Sequence, residues 1–180
     1  MKMMLHCCCG PCSTYSLESL RNEGFKVYGH FYNPNIHPYK EFELRKKSFE
    51  KFASSMAFDV KIEEEYGLYT FLDEVMSAYK VRSLRCARCY HMRLLKTAIL
   101  AKDMGFDCFS TTLTISPYQD HETIKQAGED ISKEVGVKFE YRDFRAGYKS
   151  SIDKSKQMEL YRQQYCGCIF SEKERYLPDK

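Results

Sequence analysis

Five short apolar runs alternate along the chain with segments of helical period, and no other feature limits its fold so strongly. The runs read as strands at 3–7, 26–32, 58–62, 106–111 and 138–141. Helices are expected between them at 12–23, 39–56, 69–79, 86–104 and 121–135, with a last one at 150–165. Crossovers long enough to hold a helix join parallel strands, and a parallel sheet must be covered on both faces. The expected class is therefore α/β, a parallel-sheet sandwich with helices on both faces. With 180 residues and no repeat or Pro/Gly/Ser linker, residues 1–180 read as a single domain. Ligands of open parallel sheets sit outside the carboxyl ends of the strands. Four unusual loops follow strands here, at 7–12, 33–38, 111–120 and 143–149, and they are expected to converge on one edge.

Cysteine use narrows the chemistry. Eight of the nine cysteines fall in three tight clusters, whereas a stapling framework spreads its cysteines so that each bridge closes a long loop. The residues before the first cysteine are too few for a secretory apolar segment. No run approaches the ~18 apolar residues of a membrane span. A cytoplasmic location with no membrane partner is expected, and there clustered thiols mean metal or redox chemistry. The net charge of +3 permits a nucleic-acid partner without arguing for one.

His6-Cys7-Cys8-Cys9-Gly10-Pro11-Cys12 is the sharpest signal. Neighbouring side chains of a strand face opposite sides, so three consecutive cysteines make poor core packing. Pro11 suits the start of a helix, which would place Cys12 in a first turn whose dipole lowers a thiol pKa. C-G-P-C after a strand is also the form of a thioredoxin-like redox motif. Cys86-Ala87-Arg88-Cys89 is a second C-x-x-C, expected to open the longest helix, where residues three apart share a face. Two such motifs supply four soft thiolates, and spacing does not separate zinc from an iron–sulfur cluster. Cys166-Gly167-Cys168 reads as a redox pair or as two more ligands, and Cys108 as buried packing.

Tyr118, Asp120 and His121 follow a strand end, where an acid or an oxygen ligand would be useful, although Asp120 suits a helix N-cap equally well. His37 reads first as a surface-turn histidine, with proton donation as the alternative. His6 and His91 adjoin cysteines, as ligands or as donors to ligands. Arg82, Arg85, Arg88 and Arg93 surround the second C-x-x-C. With Arg142, Arg145, Lys149, Tyr141 and Tyr148 they form a candidate basic, aromatic rim for RNA, or else solvated helix faces.

Leu5-His6-Cys7-Cys8-Cys9-Gly10-Pro11-Cys12-Ser13, Arg85-Cys86-Ala87-Arg88-Cys89-Tyr90, Thr111-Thr112-Leu113-Thr114-Ile115-Ser116-Pro117 and Tyr165-Cys166-Gly167-Cys168, in that order, resemble the epoxyqueuosine reductase QueH family. The resemblance implies a nucleotide-hydrolase-like (HUP/Rossmann-like) α/β sandwich. It implies an enzyme, a cobalamin-independent oxidoreductase that reduces the epoxide of epoxyqueuosine, a tRNA wobble nucleoside, to queuosine. It further implies a [4Fe–4S] cluster on Cys8, Cys9, Cys86 and Cys89 and a redox-active disulfide between Cys166 and Cys168. Cys12 and Asp120 are the candidates for substrate or an additional iron ion, and Tyr118 and His37 for proton donation. Arg82, Arg85, Arg142 and Arg145 are the candidate tRNA contacts. The partners expected are tRNA carrying epoxyqueuosine and an unidentified electron donor, with no DNA. Two other classes stay open, a zinc-stabilised tRNA-binding or tRNA-modifying module and a thiol–disulfide oxidoreductase.

Overall fold

The structure, a computed structural model, describes residues 1–177. Among these, five parallel strands form one sheet: β1 (Lys2–His6), β2 (Lys26–Phe31), β3 (Val60–Ile62), β4 (Cys108–Thr111) and β5 (Lys138–Phe139), in the order β3-β2-β1-β4-β5. The helices are α1 (Gly10–Asn22), α2 (Tyr39–Ser55), α3 (Leu68–Val75), α4 (Arg82–Asp103), α5 (His121–Val135), α6 (Tyr148–Gln157) and α7 (Ile169–Tyr176).

The two-residue period of β1 divides the core. Met3, Leu5 and Cys7 pack with Leu17, Phe42 and Phe49 of α1 and α2. Met4 packs on the opposite face with Leu94, Ala98, Ile124 and Ile131 of α4 and α5, and Cys8 joins that side. Helices thus cover both faces of the sheet, as the alternation predicts. Gly10 allows the close approach of α1 to α2, because a Cβ there would meet the Ser48 carbonyl oxygen at 2.9 Å.

Register brings the strand ends together: His6 pairs with His30 on one side and Thr111 on the other. The loops that follow are stitched to each other. The Asn33 amide donates to the Cys7 carbonyl (2.9 Å), and the Cys8 N–H donates to Thr112 Oγ1 (3.1 Å). The Tyr118 and Tyr148 rings meet 6.2 Å apart, so all four strand-end loops share one edge.

Three helical expectations are corrected. Helix α4 begins at Arg82, a turn earlier than expected, so Cys86 and Cys89 lie in its second and third turns. The last expected helix stops at Gln157 because Glu159 turns into the left-handed region (φ 52°) and buries Leu160. Residues 158–167 then run as a loop across the strand-end edge. Helix α7 has no counterpart among the expected elements.

Candidate metal and redox centre

Cys9 is the N-cap of α1, its sulfur accepting the Cys12 N–H at 3.4 Å. The side chain of a cap residue turns back over the first helical turn, which returns Cys12 to the same place. Cys8, Cys9 and Cys12 consequently hold their sulfurs within 4.8 Å of one another, with Cys8 to Cys9 at 3.8 Å. Hydrogen bonds from Cys12 and Cys9 hold Cys8 well below the usual thiol range, and Arg93 and Thr112 add to this. Burial raises Cys9, and hydrogen bonds to Cys8 and Cys9 raise Cys12. Of the three, Cys8 is the thiol most disposed to ionise. Cys7 points the other way, into the α1/α2 core, where burial pushes it up to about 12.

Cys89 lies under Arg93, the next turn of α4, with a guanidinium nitrogen 3.9 Å from its sulfur. Burial pushes Cys89 up to about 12, and Arg93 opposes the shift. Arg93 is only 2% exposed, donates to Asn33 Oδ1 at 2.6 Å and has no carboxylate partner among the described residues. A buried cation needs a counter-charge, and the ionisable groups that act on Arg93 are the thiols of Cys89, Cys8 and Cys166, of which Cys8 is the one favoured to ionise. Arg93 thus links all three cysteine clusters. Cys86 is half-buried, its thiol raised first by burial and then by the nearby Cys166 and Cys168.

The C-terminal pair arrives on the 158–167 loop. Cys168 is buried against Cys89, Phe71 and Val75 and caps α7, while Cys166 is exposed. All nine cysteines are free thiols. Gly167 sits at φ +137°, a conformation that L side chains rarely adopt, which makes the short Cys-Gly-Cys turn accessible. The loop is clamped by an ion pair on α2. Arg45 Nε donates to Glu41 (2.7 Å), and its other nitrogens donate to the carbonyls of Cys166 (2.9 Å) and Tyr165 (3.0 Å). Glu41 accepts the Tyr161 hydroxyl, and the Tyr165 hydroxyl donates to the His37 carbonyl. Two amides finish the site. Gln163 Nε2 donates to Cys9 Sγ (3.1 Å) and Cys12 Sγ (3.7 Å), and Gln119 Nε2 donates to Cys166 Sγ (3.5 Å).

Other expected residues fall in varied places. Asp120 caps α5, with both carboxylate oxygens engaged by Thr123. Tyr118 is 78% exposed beside it. His6 is committed to Thr111 Oγ1 (2.9 Å) and the Tyr32 carbonyl (3.2 Å). His37 is not a surface histidine: it is 1% exposed between Tyr66 and Phe71, neither ring nitrogen has a partner, and burial lowers it to about 4. Arg85 is likewise turned inward, donating to the Tyr79 carbonyl and Glu174 under the Phe170 ring, so its guanidinium is not presented to RNA. Arg82 is exposed and only loosely paired with Glu174 (3.8 Å). Arg142 pairs with Glu140 and Glu23, and Arg145 with Asp143. Sequence reasoning missed Glu41, Arg45, Asn33, Gln119 and Gln163. Each looks like an ordinary loop or helix-surface residue, and only Glu41 and Arg45 carry a local signal, their four-residue spacing on a helix.

A parallel α/β sheet of nucleotide-hydrolase-like type, carrying three cysteine clusters that each bring one thiol near a buried arginine, defines a protein with a cysteine-based centre suited to a soft metal or to redox exchange. A solved structure described as a predicted subunit of tRNA methyltransferase from Methanocaldococcus jannaschii shares the fold, with TM-score 0.59 and 13% identity over 100% of this chain and 94% of that one. A family model described as epoxyqueuosine reductase QueH matches residues 3–174. Proteins named epoxyqueuosine reductase QueH are 39% identical in Dehalococcoides mccartyi (97% of this chain, 94% of that protein) and 35% identical in Thermotoga maritima (96% and 91%). A relative of the same name in Staphylococcus epidermidis is 36% identical over 94% of this chain and 76% of its own length. This chain belongs to the epoxyqueuosine reductase QueH family, a family of oxidoreductases.

Proposed function

We propose that this protein reduces the epoxide of epoxyqueuosine in tRNA to queuosine, with Cys8, Cys9, Cys86 and Cys89 holding a [4Fe–4S] cluster and Cys166 and Cys168 cycling between dithiol and disulfide. The observation that carries the reading is that one thiol of each cysteine cluster, Cys8, Cys89 and Cys166, lies near the buried cation Arg93, with Cys9 and Cys12 beside Cys8. That donor set fits the group: all four ligands are soft sulfurs, Cys8 and Cys9 lie 3.8 Å apart with Cys8 favoured to ionise, and the Arg93 guanidinium would offset part of the charge an anionic cluster would bring. Cys12, as close to Cys8 and Cys9 as the trio allows, and Asp120 remain the candidates for an additional iron ion. When bound, the cluster supplies electrons one at a time at low potential.

The rest is the work of the chain. Converting an epoxide to an alkene and water takes two electrons and two protons. Oxidising the Cys166/Cys168 dithiol to a disulfide releases the same number of each, so one cycle of the pair balances one turnover, and an external donor restores the dithiol. Tyr118 presents its hydroxyl to solvent at this edge, which suits proton delivery better than the enclosed ring of His37. The setting proposed is the cytoplasm. Among the described residues no helix is long and apolar enough to cross a membrane. The zinc-module and thiol-exchange readings are not favoured, because the family match runs through all three cysteine clusters.

Metal analysis of protein purified without oxygen tests the reading. About four irons with matching sulfide per chain are expected, or somewhat more iron. Zinc near one per chain without sulfide would overturn the cluster. Cys86→Ser or Cys89→Ser should remove cluster absorbance and activity together. Cys168→Ser should keep the absorbance and stop multiple turnovers, and full steady-state activity in that variant would remove the relay.

A further inference from the structure

Tyr118 is the most exposed aromatic at the strand-end edge, and it is rigidly held. Its N–H donates to Ser116 Oγ (3.2 Å), and the following N–H, of Gln119, donates to the Ser116 carbonyl (3.4 Å). The Gln119 side chain spans from the Tyr90 hydroxyl (2.7 Å) to Cys166 Sγ (3.5 Å), and Asp120 fastens the next residue to α5. The backbone that carries this exposed ring is thus tied down on both sides. Opposite it stands Tyr148, edge-on at 81°. Tyr148 packs on the same core as Cys12 and lies within the electrostatic reach of both Cys12 and Tyr118. The aromatic pair therefore bridges the Cys166 side of the centre and the Cys12 side. Lys149 follows at once, exposed and without a carboxylate partner among the described residues, whereas Arg142 and Arg145 nearby are already paired.

We propose that Tyr118 and Tyr148 form a stacking platform at the mouth of the thiol centre for an unpaired base flanking the modified nucleoside, with Lys149 on the adjoining phosphate. This rests on the tRNA reading above. Single-stranded loops are recognised by stacking splayed bases on aromatic rings, and a base so held would leave its neighbour over the sulfurs. Phosphate contact favours a cation not already neutralised, which selects Lys149 over its neighbours Arg142 and Arg145.

The test is binding rather than turnover: the Kd of a fluorescein-labelled anticodon stem-loop RNA for cluster-loaded protein, read by anisotropy without oxygen. Tyr118→Ala should raise Kd about tenfold, while Tyr118→Phe, which keeps the ring, should stay within about twofold of the wild type. Lys149→Ala should weaken binding and lower the salt slope by about one. Equal affinity of Tyr118→Ala and wild type would overturn the platform and leave the reductase reading standing. Tyr118→Phe as weak as Tyr118→Ala would show that the hydroxyl, not the ring, makes the contact, and would overturn stacking. A wild-type protein that binds no RNA would overturn the platform together with the reading beneath it.

Discussion

Removing the Arg45 guanidinium should release the loop that carries the redox pair while leaving the metal ligands in place. Arg45 is 2% exposed and spends two nitrogens on the carbonyls of Cys166 and Tyr165, 121 and 120 residues away. A hydrogen bond to a charged group contributes about 1.5–3 kcal/mol. Taking the lower figure twice gives about 3 kcal/mol for holding the 161–167 segment down, or roughly 100-fold in its open-to-closed ratio. Arg45→Met also strands Glu41, so the global cost should be larger, about 3–5 kcal/mol. Adding Glu41→Leu removes the unpaired charge and should recover part of that cost without recovering the loop. The assay is thiol labelling mapped to individual cysteines. Buried Cys168 should react up to ~100-fold faster in Arg45→Met if labelling follows loop opening, whereas exposed Cys166 should change little. In the Arg45→Met/Glu41→Leu double variant, where part of the global cost is recovered, Cys7 and Cys108, buried in the core, should be accelerated less than Cys168. Cluster absorbance should persist while steady-state turnover falls. Unchanged labelling of buried Cys168 together with normal turnover would refute the clamp.

Three further outcomes follow from the same geometry. Gln163→Leu deletes the N–H contacts to Cys9 and Cys12 and should shift the midpoint potential of the bound cluster downward, because N–H···S bonds stabilise the more negative reduced state; an unmoved potential would count against it. Metal loading should weaken as pH falls and should release protons, since burial raises Cys9 and pushes Cys89 up to about 12, leaving both protonated until a metal displaces the protons; pH-independent loading would contradict this. Burial lowers His30 to about 4, against ≈ 6.5 when unfolded, so the unfolded chain takes up the proton first. Its contribution to stability is therefore full above about pH 6.5 and is lost as pH falls towards 4. His30→Gln should flatten denaturant midpoints across that window, and an equally steep decline in the variant would exclude His30 as the cause.

Much of the fold was legible before any coordinates, because strand and helix periods are local and each element carries its own pattern. The five strands, the two-sided covering and the shared edge for the four loops all follow from that alternation. Boundaries slipped where a local signal ended before the element did. Val81 offers no capping side chain to mark the start of α4, and Glu159 ends α6 through a left-handed turn that is rare for glutamate.

At the site, the sequence by itself determined which thiols exist, how they cluster and that they belong at the carboxyl edge. The two-residue strand period also separates Cys7 from Cys8, although only the register of β1 shows which of them faces the core. Tertiary structure decided the company those thiols keep. It drew Cys12 into contact with Cys8 and Cys9, buried Arg93 among sulfurs and enclosed His37 in aromatic rings. It also turned Arg45 and Glu41, which read as a solvated helix face, into the anchor of a loop more than a hundred residues away. Periodicity reports what a residue's own element needs. A charge or a thiol acquires its partner only when distant segments pack, and no local pattern encodes that choice.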